Sequence, residues 1–82
     1  MEYFTIYGKA NCTFCRVAKQ LLDDNKLPYG LLILSTDYTV KQLVELIQES
    51  VPGTEVTSVP QIFHGTEYIG GAKELAKYVK NL

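Results

Sequence analysis

The stretch Tyr3-Phe4-Thr5-Ile6-Tyr7-Gly8-Lys9-Ala10-Asn11-Cys12-Thr13-Phe14-Cys15-Arg16-Val17-Ala18-Lys19-Gln20-Leu21-Leu22 decides how the rest of the chain is read. Its first five residues are aromatic and β-branched, the composition of a short strand. Gly8 to Asn11 then reads as a loop. From Thr13 the period changes. Val17, Ala18, Leu21 and Leu22 fall on one face of a helix, predicted over Thr13–Asp24 and closed by Asn25 to Pro28.

Cys12 and Cys15 therefore stand where a strand hands over to a helix. Side chains three apart on a helix lie about 5–6 Å apart at Cβ, near enough to close a disulfide after small adjustment. Cys12 is expected at the exposed helix start and Cys15 one turn inside. The unpaired N–H groups and partial positive charge of a helix start favour a thiolate, so Cys12 is expected to ionise below the free value of about 8.5. Lys9 adds positive charge, and no acidic residue lies between Lys9 and Asp23. On this reading Cys12 attacks and Cys15 resolves. Zinc is the rival use of such a pair, but a closed structural site needs four ligands. The chain offers two cysteines and one histidine, so no metal is expected.

Downstream, Tyr29 to Leu34 is an unbroken apolar run, expected to be a central strand covered on both faces. Ser35 to Thr39 is a polar linker. Val40, Leu43, Val44 and Ile47 mark a second helix, which ends near Ser50 before the Pro52-Gly53 break. Val59 to Phe63 is a third strand, His64 to Glu67 a turn, and Tyr68-Ile69 a fourth strand, with a turn length that favours an antiparallel hairpin. Gly70-Gly71 leads into a last helix through Leu75, Ala76 and Val79. The order β-α-β-α-β-β-α predicts a single α/β domain over residues 1–82, a four-stranded mixed sheet flanked by three helices.

Eight basic and nine acidic residues give a net charge of −1, which does not suggest nucleic acid or an anionic membrane as partner. No apolar run of about 20 residues exists to span a bilayer, and the start carries no basic segment of an export signal. A reducing cytoplasm is expected, where a cysteine pair is catalytic rather than structural. His64 is expected to be an exposed, non-catalytic turn residue. Tyr3, Tyr29, Tyr38 and Tyr78 are read as packing or surface residues, and Lys73, Lys77 and Lys80 as a solvated face. An X–Pro bond is cis in only about 5–6% of cases, so the residues alone read Val59-Pro60 as an ordinary trans proline at a strand start.

Three motifs in this order, Tyr7-Gly8-Lys9 to Cys12-Thr13-Phe14-Cys15, Ser58-Val59-Pro60-Gln61-Ile62-Phe63 and Ile69-Gly70-Gly71, resemble those of glutaredoxins, over almost the whole chain. The short length and the Pro52–Thr57 connection are most similar to the bacteriophage type, in which case the compartment would be the host cytoplasm. The resemblance implies the thioredoxin fold and a cis Pro60. It also implies a glutathione-dependent dithiol–disulfide oxidoreductase with a potential of about −200 to −230 mV, with ribonucleotide reductase as a candidate protein substrate; a monomer is expected because the sequence shows no obvious extra hydrophobic surface. Glutathione would lie across Lys9, Phe14, Ser58, Val59 and Gly71. Val59 would pair its backbone with the incoming thiol peptide, Lys9 would meet the glycyl carboxylate, and Gln42 or Lys41 would help hold it. Gly70 and Gly71 would allow close backbone approach, and the helix start at Ala72 and Lys73 would take the γ-glutamyl carboxylate.

The chain departs from the family pattern in two places. Thr13-Phe14 replaces the commonest Pro-Tyr between the cysteines. Lys73 falls where many members have an acidic residue that grips the glutathione amino group, and it would repel that group unless Glu74 substitutes. Two alternatives follow: a thioredoxin-like reductant fed by a thioredoxin reductase, and an iron–sulfur cluster carrier in which two subunits share a cluster through Cys12 and two glutathiones.

Overall fold

The computed structural model describes residues 3–82. The elements follow the order β1 (Phe4–Gly8), α1 (Thr13–Asp24), β2 (Tyr29–Ile33), α2 (Val40–Ser50), β3 (Gln61–His64), β4 (Glu67–Gly70) and α3 (Ala72–Lys80). This is the thioredoxin-like arrangement of a four-stranded mixed sheet with three helices. The strands lie in the order β2-β1-β3-β4. β1 runs parallel to β2 and antiparallel to β3, and β3 and β4 form the antiparallel hairpin.

The sheet separates two apolar layers. Phe4, Ile6 and Ile62 face Ala18, Leu22 and Leu75 of α1 and α3. Tyr7 and Phe63 turn the other way, onto Tyr38 and onto Leu43 and Ile47 of α2. Alternate residues of β1 thus serve opposite layers, as a pleated strand requires.

Three expectations are corrected. β2 is not central but an edge strand. Its apolar run reflects cover on both faces, not a place in the middle of the sheet: Tyr29 packs into the first layer, Leu32 and Leu34 into the second. Gly30 and Leu31 remain exposed. β3 begins at Gln61, two residues later than expected, because Pro60 has no N–H to give a ladder. His64 is neither exposed nor in the turn. It pairs with Glu67 at the end of β3, leaving Gly65-Thr66 as the turn. Its ring stacks on Phe4 at 4.1 Å, and its Nδ1 lies 2.7 Å from the Tyr78 hydroxyl.

Candidate active site

Gly8 ends β1, and the chain turns through Asn11, whose φ of 54° is left-handed, to place Cys12 as the N-cap of α1. Asparagine tolerates that conformation better than most residues. The Cys12 sulfur accepts the Cys15 N–H at 3.2 Å, the role an N-cap serine or aspartate oxygen would otherwise take. Cys12 and Cys15 are joined as a disulfide, with Cα atoms 5.2 Å apart. Cys12 is less open than its place at the helix start suggested. It is 8% exposed, and Cys15 5%, because the Cys12 sulfur turns inward onto the first helical turn.

Gly8 is required beneath the pair. A Cβ there would stand 2.9 Å from the Cys15 sulfur and 3.4 Å from Leu31 Cδ1. The Gly8 carbonyl is held twice, by the Tyr38 hydroxyl at 2.6 Å and by the Leu34 N–H at 2.9 Å. Sequence reasoning missed both constraints: the first depends on how α1 folds the Cys15 sulfur back over Gly8, the second on Leu34 and Tyr38 far along the chain.

Two grooves meet at Lys9. One, of about 220 Å³, is lined by Lys9, Leu34, Tyr38, Leu43, Ser58 and Val59, among others. The other, of about 300 Å³, holds both cysteines together with Lys9, Arg16, Lys19 and Leu31. The structure therefore brings Lys9, Ser58 and Val59 together. The Val59–Pro60 peptide bond is cis, in contrast to the reading of the residues alone and in line with the resemblance. Pro60 is buried and its carbonyl backs Gly71. Phe14 stands 65% exposed on the first turn of α1.

Gln42 also caps the start of α2. Its side chain accepts the Thr39 N–H at 2.9 Å while its own N–H reaches Thr39 Oγ1 at 3.2 Å. That is a reciprocal capping box at the start of α2, and Gln42 lines a third groove with Glu45 and Glu49. At α3, Ala72 packs against the core and Lys73 is exposed. Glu74, not Lys73, is the side chain that folds over the double glycine. Its Oε1 accepts the Gly71 N–H at 2.9 Å. A Cβ on Gly70, whose φ is 124°, would meet Glu74 Cγ at 2.9 Å. The signal was in the sequence: glutamate three residues after an N-cap is the second half of a capping box.

The arrangement can accept two electrons by opening one disulfide at a helix start, and give them back by closing it, next to a groove with a lysine at its mouth. A family model described as glutaredoxin matches residues 4–69. The chain belongs to the glutaredoxin family. It is 40% identical over 77 residues to the hybrid peroxiredoxin hyPrx5 of Haemophilus influenzae, covering 94% of this chain but 29% of that protein. It is 30% identical over 73 residues to glutaredoxin-2 of Schizosaccharomyces pombe, covering 89% of this chain and 64% of that one. The chain thus spans less than two thirds of these relatives. Among solved structures, glutaredoxin 1 of Francisella tularensis in complex with cacodylate superposes with a TM-score of 0.72 at 27% identity, each chain covered in full. The buckwheat glutaredoxin–glutathione complex shares the fold with a TM-score of 0.74 at 20% identity, covering 98% of this glutaredoxin and 70% of that chain.

Among the described residues no three His, Cys, Asp or Glu side chains are grouped as metal ligands. No helix among them is long and apolar enough to cross a membrane.

Proposed function

We propose that this chain is a dithiol glutaredoxin, a thiol–disulfide oxidoreductase that reduces protein disulfides and glutathione mixed disulfides. The observation that carries the reading is the Cys12 sulfur at the N-cap of α1, accepting the Cys15 N–H with Cys15 in bonding reach. In the reduced form the same N–H stabilises a Cys12 thiolate. That thiolate attacks a substrate sulfur, forms a mixed disulfide and releases one substrate thiolate. The Cys15 thiolate then attacks Cys12, closes the Cys12–Cys15 bond and releases the second. Two glutathione molecules reopen the pair and leave as oxidised glutathione.

Glutathione is the proposed reductant, bound in the groove of Lys9, Ser58 and Val59. Lys9 meets its glycyl carboxylate and the Val59 backbone pairs with its cysteinyl unit. The start of α3 at Ala72 and Lys73 receives the γ-glutamyl carboxylate, with Glu74 facing its amino group. The buckwheat neighbour, whose structure is a glutathione complex, is consistent with this assignment. Ribonucleotide reductase as a substrate rests on the family resemblance, a reducing cytoplasm on the cysteine usage, and a monomer on the lack of an obvious extra hydrophobic surface.

The test is reduction of a small mixed disulfide by glutathione and glutathione reductase, followed as NADPH consumption, with Cys12→Ser as control. Turnover that vanishes in Cys12→Ser supports the reading. No turnover from folded, reduced protein removes glutathione as the reductant, and turnover with thioredoxin reductase would then identify a thioredoxin-like electron source.

A further inference from the structure

The groove on the Cys15 side of the pair, about 300 Å³ in volume, is lined by Lys9, Arg16 and Lys19 as its ionisable residues other than the cysteines. This is uneven for a chain whose net charge is −1. The nearest acids on α1 are occupied away from it: Asp23 accepts the Tyr29 hydroxyl at 3.2 Å and Asp24 accepts Gln20 Nε2 at 2.7 Å. Among the described residues none of the three cations has an ion-pair partner. All three are exposed, and the floor beneath them is apolar, formed by Leu31 and Ile33 of the open β2 edge.

Spacing gives the groove a direction. Cys12, Arg16 and Lys19 recur at i, i+4 and i+7, one face of α1. At 1.5 Å per residue they lie about 6 Å and about 10 Å along the helix from Cys12. An extended chain advances about 3.3 Å per residue, so on a substrate chain laid along this groove from Cys12, residues two and three positions from the held cysteine fall beside Arg16 and Lys19. The groove of Ser58 and Val59 shares only Lys9 with this one, so Arg16 and Lys19 stand outside the proposed glutathione site.

We infer that the Arg16–Lys19 groove selects protein disulfides whose cysteine is flanked by carboxylates two and three residues away. This rests on the oxidoreductase reading and names the substrate class of the same site. The exchange itself is unchanged. Cys12 thiolate displaces one substrate thiolate, Cys15 thiolate displaces the other, and the two electrons pass to the two released substrate thiolates while the dithiol becomes the Cys12–Cys15 disulfide. The groove acts on encounter and orientation, by charge complementarity.

Single-turnover reduction tests this without glutathione. The pre-reduced protein is mixed with symmetric peptide disulfides that carry either glutamates or lysines at positions two and three on both sides of the cysteine. Each rate is divided by that of dithiothreitol on the same peptide, which removes intrinsic differences in reactivity. The acidic peptide is expected to react about tenfold faster at low salt, with the preference shrinking as ionic strength passes about 0.15 M. In Arg16→Glu/Lys19→Glu the preference should reverse. Because the readout is a ratio, any general effect of the charges on Cys12 cancels. Equal normalised rates, or a preference that survives the double variant, overturn the groove proposal alone. Reduction of neither peptide overturns the oxidoreductase reading and the groove proposal with it.

Discussion

The Tyr38 hydroxyl donates a 2.6 Å hydrogen bond to the Gly8 carbonyl, across thirty residues of sequence. The bond ties the linker before α2 to the end of β1, four residues ahead of Cys12. It also runs beneath the groove that Lys9 and Val59 share, since Tyr38 lines it. Tyr38→Phe removes the donor but does not orphan the acceptor, because the Leu34 N–H still reaches the same oxygen at 2.9 Å. The expected loss is therefore that of an ordinary buried hydrogen bond, about 0.5–1.5 kcal/mol. Urea denaturation should show a lower midpoint with an unchanged slope. A loss well above that range would mean that the hydroxyl also holds the β1–α1 loop in place.

Burial also raises the Tyr38 phenol above its ordinary value, with the neighbouring Tyr7 contributing, and burial raises Tyr7 and Tyr68 as well. A phenol harder to ionise in the folded state contributes stability that is complete below the unfolded value of about 10. That stability is lost as pH climbs through the folded value, because the unfolded chain releases its protons first. Denaturation midpoints measured from about pH 9 to about pH 11.5 should fall with pH. The fall should be shallower in Tyr38→Phe. Parallel curves for the two proteins would show that groups other than Tyr38 set the alkaline limit.

Gly8→Ala and Gly30→Ala make the same chemical change on neighbouring strands with opposite expected signs. At Gly8 the new methyl would press on the Cys15 sulfur at 2.9 Å. That sulfur is held by α1 and by the disulfide, so overpacking of about 1–3 kcal/mol is expected. At Gly30 nothing lies within 4 Å of a Cβ, and alanine restricts the unfolded chain, a gain of about 0.4–1 kcal/mol. Thermal melts of the oxidised proteins should move apart in these directions. Equal melting temperatures would show that β1 shifts to make room under the redox pair.

The two periodicities made the strand–loop–helix unit around Cys12 readable from sequence, because both report locally on which face is covered. The order of strands is not local. β2 looked central because Tyr29, Leu32 and Leu34 are apolar, yet its neighbours are settled by which strands β1 accepts on each side. Residues with two possible uses were the other difficulty. Gln42 fits the position of a carboxylate ligand and also closes the capping box with Thr39 through its Oε1, which the Thr39-x-x-Gln42 spacing already signals. His64 follows a strand and precedes a glycine, as a turn residue does, and only its pairing with Phe4 of β1 and Glu67 of β4 shows that it belongs to β3.

Glu74 separates the structural use of a residue from its proposed binding use. Its carboxylate caps the Gly71 N–H at 2.9 Å and sits in the first turn of α3. A charge so placed is worth about 0.3–1 kcal/mol against the helix dipole. Glu74→Gln keeps an oxygen to accept that N–H and removes the charge, whereas Glu74→Ala removes both. Stability should therefore fall in the order wild type, Gln, Ala, within about 0.5–2 kcal/mol overall. Binding should respond differently. With Glu74 facing the glutathione amino group, the charge is what counts. Both variants should then raise the KM for glutathione several-fold, and by similar factors, while kcat for the small mixed disulfide holds. If the glutathione KM tracks stability, with Gln near wild type and Ala alone impaired, Glu74 acts only by holding the α3 start in shape. A contact between Glu74 and the amino group would then be ruled out.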